Sequence, residues 1–299
     1  MESVRLAFKF GCWKPSRSEW LLAAQCIQSE EKERIGKFVF TKDGKAAMAG
    51  RLLLRKVVSD TLQIPWNEVK LARTDKGKPF LLNTVPKHLP NFNFNVSHQG
   101  DYSVIAAEPA LQVGVDVMKV EQPNRTNVPD FFHTMRKQFT EHEWKTIKRP
   151  RTEWKQLEMF YRHWCLKESY IKAIGIGLGY DLLRLEFHLQ TEELGVNVTS
   201  HDTAVYVDGA FDHNWHFQET KLDDKHCVAV ALQNTLSPCK DNHQDASTGS
   251  DITEDTPPQF RVLDFTQLIS TAKPLLEEDD AYWQAFDKKI ERYIPKDTT

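Results

Sequence analysis

What the 299-residue chain lacks narrows its class. No apolar run approaches the roughly 20 residues that a membrane-spanning helix requires. The opening "MESVRLAFKFGCW" is too broken for a signal peptide. The five cysteines, Cys12, Cys26, Cys165, Cys227 and Cys239, are odd in number, scattered and without a CxxC pair. Such a set reads as reduced thiols of the cytosol, not as a disulfide frame. The three Asn-x-Ser/Thr sequons, Asn95-Val96-Ser97 among them, then carry no meaning, because glycosylation requires secretion. A basic excess is missing too. The 39 Lys and Arg face 42 Asp and Glu, a net charge of −3, which argues against a protein built to coat nucleic acid. What is present, 40% hydrophobic and 27% charged residues, is ordinary for a soluble globular enzyme of one large or two usual domains.

A short opening strand precedes a helical region that runs to about residue 60. "SRSEWLLAAQCI" offers Ser18 as a cap, and "SEEKERIGKFVF" offers Ser29 with acids in its first turn, which suits the helix dipole. "GKAAMAGRLLLRKVVSDTL" reads as a long Ala/Leu-rich helix that Ile64-Pro65-Trp66 stops. In "NFNFNVSH", Phe92, Phe94 and Val96 alternate with asparagines, the period of a strand buried on one face. "YSVIAAE" and "LQVGVDVM" follow at close spacing, so a small antiparallel sheet is expected. After Pro129 the chain is helical again. Thr140 and Glu143 form a capping box, and a long helix runs from near Thr152 to "GIGLGY". Four strands come next, in "LRLEFHL", "TAVYVDG", "NWHFQET" and "HCVAVALQ".

Helices before strands in each half predict an α+β fold of two similar lobes, residues 1–110 and 111–236. Residues 237–258, rich in Ser, Thr, Asp and Pro, read as a disordered linker. The tail, 259–299, regains Phe265, Leu268, Trp283, Phe286 and Tyr293 and is expected to pack back on the body.

Gly175-x-Gly177-x-Gly179 follows a helix instead of a strand, so it reads as a helix stop and a loop, not as a dinucleotide loop. "RTDKGKPF" is either a solvated turn or a phosphate-binding loop, and "KRPR" (Lys148 to Arg151) a solvated connection, with a nuclear signal as the second reading. Ser97 and His98 stand at a strand end, where two donors could reach one phosphate. Asp116 lies between Val115 and Val117 in an apolar strand, a costly place for a carboxylate unless it caps a turn, is paired or holds a metal.

Glu168 poses the same difficulty on a helix. At about 100° per residue it shares a face with Leu157, Tyr161, Trp164 and Cys165, an otherwise apolar stripe, and Lys172 continues that face. Either Glu168 and Lys172 form a buried ion pair, which seldom stabilises a fold on balance, or both face a ligand. Two such carboxylates make an oxygen-ligand site for Mg²⁺, whose other positions go to water and substrate phosphate. The residues alone therefore point to a magnesium-assisted reaction on a phosphorylated cofactor.

"RTDKGKP", "NFNVSH", "VGVDVM" and, about 50 residues on, "WCLKESYIKA" occur in the order of the motifs of the 4'-phosphopantetheinyl transferases. Over about residues 18 to 235 the chain resembles the long monomeric branch of that family. The resemblance implies two α+β lobes in pseudo-twofold arrangement with coenzyme A between them. It also implies transfer of phosphopantetheine from coenzyme A to a carrier-protein serine, with release of adenosine 3',5'-bisphosphate. By the same carry-over, Asp116 and Glu168 would bind Mg²⁺, Glu168 would be the base, and Lys172 would neutralise pyrophosphate charge. Arg73, Thr74, Asp75, Lys76, Gly77 and Lys78, with Asn95, Val96, Ser97 and His98 and with Arg34, would hold the cofactor.

Acceptors implied are apo acyl carrier domains of the fatty acid synthase and aminoadipate-semialdehyde dehydrogenase types, with no nucleic acid or membrane partner. Met118 stands where many relatives have a third acidic ligand. Alternatives are a coenzyme A-binding scaffold without transfer activity, and an unrelated magnesium-dependent phosphatase or nuclease. Lys167, about 100° off the Glu168 face, has no role legible in the sequence.

Overall fold

The structure, a computed structural model, describes residues 2–177, 179–234 and 257–291; the expected linker lies almost wholly outside these, as does Tyr293. The first half runs β1 (Val4–Phe8), α1 (Arg17–Gln25), α2 (Ser29–Gly36), α3 (Thr41–Leu62), β2 (Leu71–Arg73), β3 (Pro79–Leu81), β4 (Asn93–Gln99) and β5 (Tyr102–Glu108). The second runs β6 (Gln112–Lys119), α4 (Val128–Thr134), α5 (Glu141–Lys148), α6 (Glu153–Ile174), β7 (Leu185–His188) and β8 (Ala204–Val207). It continues through β9 (Ala210–Phe211), β10 (Trp215–Asp223) and β11 (His226–Gln233), after which come β12 (Arg261–Leu263), α7 (Phe265–Leu268) and α8 (Asp280–Asp287).

Helix ends follow side-chain chemistry, with two corrections. Ser16, not Ser18, caps α1, in a capping box with Glu19. Ser29 begins α2 but does not cap it. The residue before it, Gln28, spends its amide elsewhere, accepting from the Leu71 N–H at 2.9 Å and donating to the Leu71 carbonyl at 3.1 Å. That pairing ties α2 to β2. Thr140 with Glu143 caps α5, and Thr152 caps α6. Gly175 closes α6 at φ 71°, a left-handed conformation that costs glycine little.

The expected single sheet of β4, β5 and β6 is instead divided. β4 and β5 belong to a sheet of order β12-β1-β5-β4, whereas β6 pairs antiparallel with β11 in the order β10-β11-β6. The two sheets pack face to face, Ala7, Tyr102, Val104 and Ala106 meeting Val113, Val115, Val117, Val228 and Val230. α3 covers the outer face of the first sheet and α6 the outer face of the second, two 22-residue helices around a double layer. Burying strands on both faces explains why β5 and β11 read as continuous apolar runs.

The alternation in β4 predicts a strand buried on one face, that of Phe92, Phe94 and Val96. The opposite face is buried as well, and its polar groups are used. Asn93 and Asn95 accept from the backbone N–H groups of Val113 and Val115, each at 3.0 Å, and Gln99 accepts from that of Lys119 at 2.6 Å. β6 is an edge strand of its sheet, and amide side chains of β4 satisfy three of its outward donors in place of another strand. A buried N–H without a partner costs about 1–3 kcal/mol, so this ladder fixes the register of one lobe on the other.

The tail does pack back. β12 pairs parallel with β1, Phe286 stacks on Trp20 with centroids 3.6 Å apart, and Phe265 stacks on Trp13 at 5.2 Å.

Two imidazoles are buried in the neutral form. His163 donates from Nδ1 to the Met159 carbonyl, has no partner at Nε2 among the described residues, and is pushed by burial down to about 3. His226 accepts from the Asp101 N–H at Nε2 and so donates from Nδ1 to Asp223. Burial lowers it, outweighing the nearby Asp223 and Asp101. A histidine with a depressed folded pKa stabilises above its ordinary value and loses that contribution as pH falls below it. At about 1.4 kcal/mol per pH unit for each uncoupled proton, the urea midpoint is expected to drop from pH 7.5 to pH 5.5. His163→Leu is expected to flatten part of that drop.

Candidate active site in the cleft between the lobes

A cleft of about 830 Å³ opens between α3, the β2–β3 turn and β4 on one side and α6 with the segment after it on the other. The Glu168 problem resolves in its geometry. Glu168 and Trp164 line the cleft, while Leu157 and Cys165 on the flanking part of the same stripe are core. Lys172 does not pair with Glu168. It donates to Asp116 Oδ1 at 2.5 Å and to Ser97 Oγ at 2.7 Å, and Ser97 itself donates to Asp116 at 2.8 Å. Asp116 is buried just behind the cleft wall, and its Oδ2 has no partner among the described residues.

Gly114 makes this meeting of strand and helix possible. A Cβ there would lie 2.1 Å from the Ser169 carbonyl and 2.4 Å from the Ala173 nitrogen, so α6 rests directly on β6. The bare backbone draws Asp116, Glu168 and Lys172 into one cluster. Burial and the charge of Asp116 push the Glu168 carboxyl above its ordinary value, with Lys172 opposing.

The first lobe supplies cations. Glu31, nearly buried, holds Arg34 Nε at 2.8 Å, Arg73 Nε at 2.8 Å and Arg51 at 3.3 Å. Burial would raise the Glu31 carboxyl, but the hydrogen bond from Arg73 and the charges of Arg51 and Arg34 keep it below its usual range. One carboxylate among three guanidiniums leaves the wall positively charged. Arg51, which also pays desolvation, falls to about 10 and stays protonated at neutral pH. Lys78 and Lys76 reach across the cleft to carbonyls at the α6 end, Lys172 O at 3.0 Å and Ile176 O at 2.7 Å, where the helix dipole favours cations. His98 stands open to the cleft. Burial among its walls, then Lys172 and Arg34, hold its imidazole below the ordinary value.

Arg34, Arg73, Lys76, Gly77, Lys78, Asn95, Val96, His98, Glu168 and Lys172 line the cleft. Ser97 and Asp116 lie behind it. Thr74 and Asp75 do not line it. Both are exposed, and Thr74 shapes the turn by accepting from the Lys78 N–H at 3.2 Å. Gly77 turns at φ 81° with open space around it.

Sequence reading missed Arg51, although a cation on the apolar α3 helix is the same signal that singled out Glu168. It also missed Lys137, Gln138, Tyr180, Asp181 and Leu182, which line the second-lobe side and carry no local signal.

Two carboxylates beside a cationic wall, one with an unpartnered buried oxygen, fit a hard divalent cation such as Mg²⁺. Met118 packs against the second core, so no third acid comes from that position. Among the described residues, His142, Glu186 and His188 also have metal-like spacing. Their imidazoles stack 3.9 Å apart at 9°, so the lone pairs run side by side instead of converging, and none of the three lines the cleft.

This architecture and cleft go with a shared ancestry. Residues 11–110 match the family description "4'-phosphopantetheinyl transferase, N-terminal", and residues 112–231 match "4'-phosphopantetheinyl transferase superfamily". The chain belongs to the 4'-phosphopantetheinyl transferase superfamily, a family of transferase enzymes. It is 53% identical to the L-aminoadipate-semialdehyde dehydrogenase-phosphopantetheinyl transferase of Pongo abelii, over 96% of this chain and 91% of that one. The Homo sapiens protein of the same name is 52% identical over the same shares. A phosphopantetheinyl transferase of Thraustochytrium is 40% identical over 76% of this chain and 77% of its own length.

Gly114→Ala is expected to force β6 and α6 apart. Overpacking of this kind costs about 1–3 kcal/mol, so the thermal midpoint should fall measurably, and turnover should fall further than the lost folded fraction explains.

Proposed function

We propose that the protein transfers 4'-phosphopantetheine from coenzyme A to a serine hydroxyl of apo carrier domains, and that the cleft is where this occurs. The observation that carries the reading is the gathering of the Glu168 carboxylate and the Arg34, Arg51 and Arg73 cations in one cleft, with the Asp116 carboxylate just behind its wall. In this reading residues 1–110 and 111–236 act as two lobes around the cofactor. The three arginines, with Lys76, Lys78 and His98, take the cofactor's phosphate charge, which suits the planar guanidinium and the compact ammonium alike. Asp116 and Glu168 would hold Mg²⁺, which when bound supplies charge neutralisation on the pyrophosphate.

Phosphoryl transfer asks the protein chiefly for alignment and charge stabilisation. Lys172 sits between Asp116 and the cleft and adds a positive charge at the pyrophosphate position. Glu168 accepts the serine proton, directly or through a water. The serine oxygen bonds to the phosphorus that bears pantetheine, and that phosphorus loses its bond to the bridging oxygen. Adenosine 3',5'-bisphosphate departs with the electron pair. A carboxyl raised above its ordinary value by burial and by the Asp116 charge is the better proton acceptor, and such help is typically worth about 10²–10⁴-fold.

The names of the relatives support carriers of the aminoadipate-semialdehyde dehydrogenase type. We extend the reading to fatty acid synthase carriers and to a cytosolic monomer. Support for the compartment comes from Cys12, Cys26, Cys165 and Cys227, all free, and no described helix is long and apolar enough to cross a membrane.

Incubated with coenzyme A, Mg²⁺ and an apo acyl carrier protein, the enzyme should add one phosphopantetheine mass to the carrier. Coenzyme A binding with an unchanged carrier would instead indicate a scaffold. Glu168→Gln is expected to abolish transfer while coenzyme A binding largely survives; near-normal turnover in that variant removes Glu168 as the base.

A further inference from the structure

Lys167 is the neighbour of Glu168 that points the other way. It is wholly buried, and so is Glu143, whose carboxylate lies 2.8 Å from its ammonium. The remaining donors go to the Leu182 and Leu185 carbonyls, each at 2.7 Å. Three N–H donors therefore meet three acceptors, and the Phe139 ring lies 5.3 Å below the charge. Glu143 accepts in turn from the N–H groups of Thr140 at 2.9 Å and Phe187 at 3.1 Å.

A buried ion pair is costly to desolvate and is often no more stable than apolar residues of the same volume. Stability is thus a poor reason for this pair. Two of its contacts, Leu182 and Phe139, lead to one corner of the cleft. Leu182 lines that corner with Tyr180 and Asp181, and Phe139 follows the lining residues Lys137 and Gln138. The turns 136–138 and 182–184 lie against each other. This corner belongs to the second lobe, whereas the arginines that suit phosphate belong to the first.

We propose that Lys167 is a positioning residue for the acceptor side of the cleft. With Glu143 it holds the 137–139 and 182–185 segments in register with Glu168, so that the carrier serine arrives at the carboxylate. The proposal rests on the transferase reading above. An arginine fork could not replace the compact ammonium among three converging acceptors.

The double variant Lys167→Met/Glu143→Leu removes both buried charges and leaves neither unpaired. At a temperature where it is fully folded, its KM for coenzyme A should stay within twofold of the unaltered enzyme. Its kcat/KM for the apo carrier at saturating coenzyme A should fall at least tenfold. A pair that serves only stability would move the thermal midpoint and leave that split untouched, so carrier turnover within twofold overturns the proposal.

Hydrogen exchange on the unaltered enzyme gives an arm that no folding defect can obscure. The amides of 182–187 should exchange as slowly as those of α6 near Glu168; exchange at the speed of a free surface turn overturns the anchor. Absence of transfer by the unaltered enzyme itself would sink the transferase reading instead, and the exchange result would separate the two failures.

Discussion

The amide ladder from β4 to β6 is the constraint on which the site depends. β6 leaves the first sheet to become the edge of the second, and an edge strand must find partners for its outward N–H groups. Asn93, Asn95 and Gln99 provide them from side chains, which sets one sheet on the other in a single register. A slip by one residue would move Asp116 to the opposite face, toward the valine interface. The same register puts Ser97 beside Asp116, so the wall that phosphate would meet and the carboxylate behind it come from different lobes but are fixed together.

Charge is then arranged by pre-pairing. Three guanidiniums would repel one another if simply placed on one wall, and Glu31 holds them in ion pairs of 2.8 to 3.3 Å while leaving net positive charge. On the other side Lys172 balances Asp116, and Glu168 makes no ion pair or hydrogen bond among the described residues. Of the two carboxylates, the one tied to a lysine is the strand residue, and the helix residue is left open to the cleft. That division suits one as an anchor and the other as a proton acceptor. Gly114 is the backbone feature that brings the two within reach, since any side chain there would separate strand from helix.

Much of this was legible because buried charge is conspicuous in an apolar period. Asp116 and Glu168 stood out for that reason, and both α6 ends were readable from Thr152 and Gly175. The capping box at Thr140 and Glu143 was readable too, but not that Glu143 has a second oxygen for Phe187 and a charge for Lys167. The asparagines of β4 fell outside the predicted buried face because alternation reports polarity, not what satisfies it. Sheet membership of β6 was misjudged for a related reason: short spacing favours pairing with the preceding strand, and only the distant β11 decides otherwise. Tyr180, Asp181 and Leu182 reach the cleft through a tertiary anchor, so nothing local to them could reveal it.

The central claim is that Asp116 and Glu168 form one cation site facing the cofactor's phosphates. Titration of the protein with Mn²⁺ in the presence of coenzyme A, followed by electron paramagnetic resonance of the free ion, tests this most directly. One Mn²⁺ should be taken up with coenzyme A present, and Asp116→Asn, which retains the shape but not the charge, should weaken that uptake at least tenfold. Equal Mn²⁺ uptake by the unaltered protein and the variant would contradict the account.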